Sequence, residues 1–535
     1  MTPWLLLLAC GTPTPESLEG TTERTREERR ARRADRADDV ERPDRERAKA
    51  ERTKVDRPKA DARRKRPDGR ERRDDKDPDA ADSADDPAIL RAEQRALANI
   101  ELAVPEGRAA LAAGPDLLFI TWDTIRADHV SGYGYPRRTT PELDALMESA
   151  VVFERFIVPM ATTLPSHTSM FTGVQPEEHG ILANATVNGE ILVPSERLVP
   201  IAAHLSDQGY VTAGAVSSAP VKKHSGIAAG FSGWNQPVSH HRRARETTDA
   251  ALAFAEQAPA DAPLFLWVHY YDPHAPYSPP AGLKKIPTAD PKWRSLLKSR
   301  RHNAGDQPHA ETLDRLRRYD HDILYTDRET ARLVEGWKAT RAWDRTVVVF
   351  AGDHGEGLGQ HGHLEHGLTW DEQLHAPFFI RAPGLEARRI PYPVGAHDIL
   401  PTVMGIVELP GRAAWLRQAS GRDVLATGFE PTPVFSRMSL RQVGKDLEAT
   451  FALTGERWKF ILHESGKTEL YELPEDPHET LDMSAYHPEV VATLTEQVHQ
   501  MRKSQEQRAA ALGPSRATQL DDAAIEELRQ LGYME

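Results

Sequence analysis

Four short apolar runs, at 116–121, 211–216, 263–269 and 346–351, constrain the fold of this chain more than any other feature. A strand with one wet face alternates polar and apolar residues. A run that is apolar at nearly every position belongs to a strand buried on both faces. Between the runs lie segments of helical character. Residues 140–149 read as a helix before the strand-like Val151-Val152-Phe153, 203–208 as a helix ending at Gly209, and 319–337 as an amphipathic helix. Strands alternating with helices predict an α/β fold, a doubly wound and mostly parallel sheet. Residues 281–318 are basic and irregular and read as a surface excursion.

Near residue 430 the character changes. The stretches 434–440, 450–454, 459–463 and 469–473 read as a small antiparallel sheet, and 488–504 as a helix. The expected organisation is a body over 115–428 and a smaller C-terminal α+β domain over 429–535. Residues 87–114, rich in Ala and Leu, read as a helical lead-in. Residues 11–86 hold 23 Lys+Arg and 23 Asp+Glu and almost no large apolar side chain. Such a stretch cannot bury enough surface to offset its ordering entropy and reads as a disordered charged linker. Because the linker is neutral, the net charge of −13 falls on the folded part. An acidic body argues against nucleic acid as a partner, but leaves room for a small anionic ester in a local positive site.

The single cysteine, Cys10, follows Leu5-Leu6-Leu7-Leu8-Ala9 and precedes Gly11. No intramolecular disulfide is possible. The context resembles a bacterial lipobox, so residues 1–10 read as a lipoprotein signal-like segment, although the run is short and no Lys or Arg precedes it. The expectation is an extracytoplasmic protein anchored to a bacterial membrane by a lipid on Cys10. Gly11, rather than Asp, after the cysteine points to the outer membrane.

Candidate chemistry gathers where the apolar runs end. Asp123 follows the first run, and Asp353-His354 follows the run 346–351, between Gly352 and Gly355. The carboxyl ends of strands are where open α/β sheets place ligands, and a carboxylate and an imidazole there can share a divalent cation. Either aspartate alone would more often cap a helix. In Thr162-Thr163-Leu164-Pro165-Ser166-His167, Pro165 suits the first turn of a helix, which puts Thr163 at the positive end. A threonine hydroxyl is a weak nucleophile until a metal or base activates it. Histidines cluster as His269 and His274, and as His361, His363 and His366. His269, at the end of an apolar run, reads as a core residue.

Together these segments resemble the sulfatase family of the alkaline phosphatase superfamily. The resemblance rests on Asp123, Arg126-Ala127-Asp128-His129, Thr140-Pro141-Glu142-Leu143-Asp144, the Thr163 segment, Asp272-Pro273-His274, Gly352-Asp353-His354-Gly355, His366-Gly367, Asp398-Ile399-Leu400-Pro401-Thr402 and Asp476-Pro477-His478-Glu479, in that order. It implies an alkaline phosphatase-like α/β domain with a small C-terminal domain. It implies that Asp123, Asp353 and His354 bind one divalent metal (manganese, zinc, calcium or magnesium), that Thr163 completes its sphere, and that a second metal could use Asp272 with His361 or His366. His274 and His366 would contact the transferred group or protonate the leaving group, with His167 and His361 as further substrate contacts.

The departures from the family pattern shape the expected chemistry. The nucleophile frame Cys/Ser-x-Pro-Ser-Arg reads Thr163-Leu164-Pro165-Ser166-His167 here. Threonine carries a methyl on the reacting carbon and cannot yield the formylglycine aldehyde. Thr124 stands where the family has the second of two paired aspartates, His366 where it has a lysine, and Ser217 and Ser218 near its Lys-x-His contacts. The expected function is metal-dependent hydrolysis of phosphate esters, or of sulfate esters, by a Thr163 nucleophile. The alternatives are a genuine sulfuric ester hydrolase, a phosphoryl transferase acting on a lipid or glycan, and an inactive binding protein. The expected substrate is a small anionic ester on an alcohol, glycan or lipid.

Overall fold

The computed structural model describes residues 86–104, 114–186, 190–283, 286, 309–438 and 448–530. Cys10, residues 11–85 and the stretch 287–308 lie outside the described residues. The strands are β1 (Asp116–Trp122), β2 (Val151–Ile157), β3 (Glu190–Val193), β4 (Val211–Val216), β5 (Gly233–Asn235), β6 (Leu264–Tyr270), β7 (Thr346–Gly352), β8 (His375–Arg381), β9 (Arg388–Gly395), β10 (Val434–Arg437), β11 (Thr450–Thr454), β12 (Trp458–His463), β13 (Thr468–Glu472) and β14 (Arg516–Gln519). Helices of seven residues or more are α1 (Pro87–Ala98), α2 (Pro141–Met147), α3 (Thr163–Thr172), α4 (Ile201–Asp207), α5 (Ala244–Gln257), α6 (His309–Thr340), α7 (Ile399–Val407), α8 (Pro488–Leu512) and α9 (Asp522–Gln530).

Eight strands form one sheet in the order β5-β4-β6-β1-β7-β8-β2-β9. Among the described strands of this sheet, β8 alone runs against the rest. The apolar runs are its centre. Along β1, Leu117 and Phe119 enter one core layer with Leu164, Met170 and Phe171 of α3, while Leu118, Ile120 and Trp122 enter the other with Phe254 of α5 and Ile323 and Trp337 of α6. The period of two therefore sends both faces of β1 into apolar cores, which is why the run carries no polar alternation. The same period puts Thr121 and Asp123 on the α3 face. His269 pairs with Thr121 across β6, and Ala351 pairs with it across β7. Laterally paired residues share a face, so His269, Asp123 and Asp353 all face α3.

The C-terminal strands form a separate antiparallel sheet, β10-β11-β12-β13, packed on α8. It is tied to the large sheet where Ser436 Oγ donates to Val158 O (2.8 Å) and Arg437 N to Pro159 O (2.9 Å). Two features differ from expectation. Residues 309–318 are the start of α6, not an irregular excursion: Leu316, Tyr319 and Ile323 recur at helical spacing and are fully buried, and the arginines of the other face masked that pattern. A two-stranded antiparallel sheet, β3 with β14, joins segments more than 300 residues apart, which no local pattern announces.

Candidate active site

Asp123 and Asp353 are held by backbone bonds at the ends of adjacent strands. Asp123 N donates to Tyr270 O (2.8 Å) and Asp353 N to Trp122 O (3.1 Å). Asp353 Oδ1 accepts from Thr124 N (3.1 Å) and His354 N (2.7 Å), leaving Oδ2 without a partner. Neither oxygen of Asp123 has a hydrogen-bond partner. Both carboxylates are fully buried, and their ion-pair contacts among the described residues are histidines only. Burial raises both pKa values, and the charge of Asp123 raises that of Asp353 further.

His354 donates Nδ1–H to Gly355 O (2.9 Å), which turns an unprotonated Nε2 toward the carboxylates, 3.7 Å from Asp123 Oδ1 and 3.7 Å from Asp353 Oδ2. Burial pushes its pKa well below the usual imidazole value, so it is a neutral donor. Donors sharing a cation at about 2.1 Å stand roughly 3.4 Å apart in a tetrahedron. Two buried carboxylates with unbonded oxygens beside a neutral imidazole nitrogen fit a divalent cation, which would supply the missing charge.

Thr163 begins α3, with Thr162 in extended conformation before it. Its Oγ1 lies 3.4 Å from His354 Nε2, which brings the expected nucleophile to the expected ligands. The start of α3 is held by Leu164 N donating to Asn184 Oδ1 (2.8 Å) and by Ser166 Oγ donating to Asp353 O (2.6 Å). His167 is not placed to touch a substrate. It is fully buried, its Nδ1 bonds Thr163 O (2.8 Å), and its Nε2 accepts from Thr121 Oγ1 (3.0 Å), itself the acceptor of Trp267 Nε1–H (2.9 Å). Its role in this geometry is to fix the backbone of Thr163 from below.

His274 and His366 come together, Nε2 to Nε2, at 3.3 Å. Each Nδ1 faces a backbone carbonyl, Ala275 O for His274 (2.5 Å) and Ala161 O for His366 (3.0 Å), and Tyr271 Oη lies 2.8 Å from His274 Nδ1. The His366 ring is 4.4 Å from that of His354. His361 is drawn elsewhere. Its Nδ1 bonds Glu372 (2.8 Å), its Nε2 the carbonyl of Glu479 (2.9 Å), and its ring stacks on Trp370 at 4.5 Å. It is thus bound to the C-terminal segment, away from Asp272, whose Oδ1 faces Arg243 at 3.9 Å.

The family model for sulfatases matches residues 115–409, more than half of the chain. The chain belongs to the sulfatase family. The matched stretch contains every strand of the large sheet and all of Asp123, Thr163, His274, Asp353, His354 and His366. An ulvan-active sulfatase of Formosa agariphila is 26% identical over 327 residues, 55% of this chain and 61% of that protein, so the chain spans about three fifths of its length. Among solved structures, the phosphonate monoester hydrolase of Agrobacterium radiobacter superposes with a TM-score of 0.57 at 20% identity, covering 73% of this chain and 96% of that one. The phosphonate monoester hydrolase of Silicibacter pomeroyi does so with a TM-score of 0.58 at 19% identity, covering 76% of this chain and 100% of that one. At these identities the superpositions establish the shared fold: a mostly parallel eight-stranded sheet between helices, with a small antiparallel sheet beside it.

One residue beside these carboxylates carries no sequence motif. His269, taken for a core residue, is fully buried but aims Nε2 at Asp123 Oδ2 from 3.6 Å. Its signal was positional, since it ends an apolar run as Asp123 and Asp353 do. Lys222, near the family's missing Lys-x-His contacts, is bonded to Glu527 of α9 (2.6 Å) and turned from the site.

Proposed function

We propose that the protein is a metal-dependent ester hydrolase in which Thr163 is the nucleophile, acting on a phosphate monoester or diester. The approach of Thr163 Oγ1 to His354 Nε2 beside two unbonded carboxylates carries this reading. Asp123, Asp353 and His354 hold one divalent cation, which when bound lowers the pKa of an attached hydroxyl and neutralises charge on a substrate oxygen. The backbone hydrogen bonds at Leu164 and the buried His167 present Thr163 Oγ in one position, so little orientation is left to be lost at the moment of attack. Thr163 Oγ, its proton released to solvent water, attacks phosphorus in line, the bond to the alcohol oxygen breaks as that oxygen takes up a proton, and a threonyl phosphate ester remains for water to cleave. With each Nδ1 on a carbonyl, the His274–His366 pair shares a proton between its two Nε2 atoms and delivers it to the leaving oxygen.

The sulfatase relative favours a second reading, sulfate ester hydrolysis by the same hydroxyl. A threonine in place of cysteine or serine supports phosphorus over sulfur, because the aldehyde route is closed to it. The substrate class proposed is a small anionic ester on an alcohol, glycan or lipid. The proposed setting is the outside of a bacterial membrane, through a lipid on Cys10, a reading that stands on sequence alone.

The test is a metal-reconstituted screen of aryl phosphate monoesters, phosphodiesters, phosphonate monoesters and sulfate esters, with Thr163→Ala beside the parent chain. The expected outcome is a phosphorus ester as best substrate and a fall in kcat of about 10³-fold or more in Thr163→Ala with metal still bound. Turnover retained in Thr163→Ala removes the hydroxyl from the mechanism, and preference for sulfate overturns the assignment to phosphorus.

A further inference from the structure

We propose that His269 is a further protein ligand of the cation, adding a second imidazole to Asp123, Asp353, His354 and the Thr163 hydroxyl. The proposal rests on the metal-dependent reading above and adds to it a donor outside the family's pattern.

The position that would hold a second carboxylate after β1 is Thr124. Its backbone is turned to a φ of +51°, its N–H is spent on Asp353 Oδ1 and its carbonyl on Tyr319 Oη (2.7 Å). It offers no carboxylate. Asp353 can offer only Oδ2, because Oδ1 already accepts two backbone N–H groups. Asp123, Asp353, His354 and the Thr163 hydroxyl therefore supply two carboxylates and one imidazole, with no third carboxylate after β1.

His269 is the penultimate residue of β6, in register with Thr121 of β1, so its ring rises on the same face toward Asp123. Its side chain is fully buried, and neither ring nitrogen has a hydrogen-bond partner. A buried imidazole ordinarily secures at least one such bond. Nε2 lies 3.6 Å from Asp123 Oδ2, close to the 3.7 Å between His354 Nε2 and Oδ1 of the same carboxylate. His269 also falls within a ligand-sized group with His167 and Asp353. His167 is excluded from that group as a ligand, since Thr163 O and Thr121 Oγ1 occupy both its nitrogens. Burial holds His269 in the neutral form that can donate a lone pair. The unbonded atoms here are thus both oxygens of Asp123, Oδ2 of Asp353 and the ring nitrogens of His269, with Asp353 common to the two ligand-sized groups.

Two imidazoles change what the site selects. A carboxylate-only sphere suits calcium or magnesium, whereas an N₂O₂ set suits zinc or manganese.

The experiment measures metal binding and not turnover. The holo chain, His269→Gln, His269→Asp and Asp353→Asn are titrated with Zn²⁺ and Ca²⁺ against a competing chelator, and the zinc-loaded parent is measured by X-ray absorption. The expected result is zinc binding by the parent with scattering from two imidazoles per metal. His269→Gln should weaken zinc by about 100-fold or more, beyond the loss typical of residues that only support a ligand. His269→Asp should recover binding with the preference moved toward calcium. Unchanged zinc affinity in His269→Gln, or one imidazole per zinc in the parent, overturns the proposal while Asp353→Asn, losing zinc, leaves the metal site standing. Zinc bound equally by Asp353→Asn overturns the metal reading and this proposal with it. The absorption measurement needs no variant, so a substitution that fails to fold does not remove the test.

Discussion

At the scale of single residues, His361 and His354 show how one side-chain type is given two jobs by its surroundings. His354 is kept neutral by burial. His361 is also pulled down by burial, but its hydrogen bond to Glu372, the charge of Glu372 and the carbonyl of Glu479 outweigh this and raise its pKa from 6.5 to about 9. A raised folded-state pKa means that the protonated form stabilises the fold. That contribution is complete below pH 6.5 and drains away as pH climbs through about 9. Tm followed from pH 6 to 10 should fall across that window, and His361→Gln should flatten this part of the profile. An identical slope in the variant would show that the ion pair contributes nothing.

At the scale of elements, the loop carrying Asp353 and His354 is set by a neighbour that never reaches the site. Gly355 N donates to Gln373 O (2.8 Å) and Glu356 N to Glu372 O (3.1 Å). A side chain on Gly355 would put its Cβ 2.2 Å from Glu372 O, a backbone atom that cannot yield without moving the loop. Gly355→Ala should cost about 1–3 kcal/mol by overpacking and weaken metal binding, which chemical denaturation and the chelator titration would read separately. The segment after it is in turn clamped by β12. Lys459 Nζ, fully buried, reaches Asp371 Oδ1 at 2.5 Å and Glu479 Oε1 at 3.0 Å. Lys459→Met removes the buried cation from Glu479 and leaves Asp371 with Arg155 (3.5 Å), and should cost about 3–5 kcal/mol in denaturant unfolding. A loss under 1 kcal/mol would show the triad to be solvated.

At the scale of the whole molecule, α1 is packed into the described body. Glu93 of α1 is buried, accepting from Val238 N (2.7 Å) and pairing with buried Arg242 at 3.3 Å. Removing residues 1–85, which keeps the Asp86 cap of α1, should leave Tm and kcat/KM unchanged. Removing residues 1–113 leaves Arg242 buried without its carboxylate and should lower Tm measurably in differential scanning calorimetry. The membrane proposal is tested on the intact chain, where Cys10→Ser should move the protein from the membrane to the soluble fraction. No change in fractionation overturns the anchor.

The central strands were legible because burial on both faces leaves a local mark: an apolar residue at every position, with period two then carrying Asp123 and Asp353 to one face. Thr163 was legible because Pro165 marks a helix start, and the ordered motifs identified the family. Other features depend on partners distant in sequence, and local spacing does not encode those. The β3–β14 pairing links residues over 300 apart, and the start of α6 hid its buried face under arginines. His361 reads as one of three site histidines until Trp370, Glu372 and Glu479 take it away. His167 becomes a support because Thr121 and Thr163 saturate its ring. His269 looks like core in sequence, since the apolar run around it is what a core histidine would have. Only the alignment of β6 beside β1, which brings an unbonded nitrogen to 3.6 Å from an unbonded carboxylate oxygen, makes it a candidate ligand. The sequence determined which strands are buried and which residues end them; tertiary packing decided which of those ends converge, because a ligand sphere is a property of distances between chains of atoms that the sequence lists far apart.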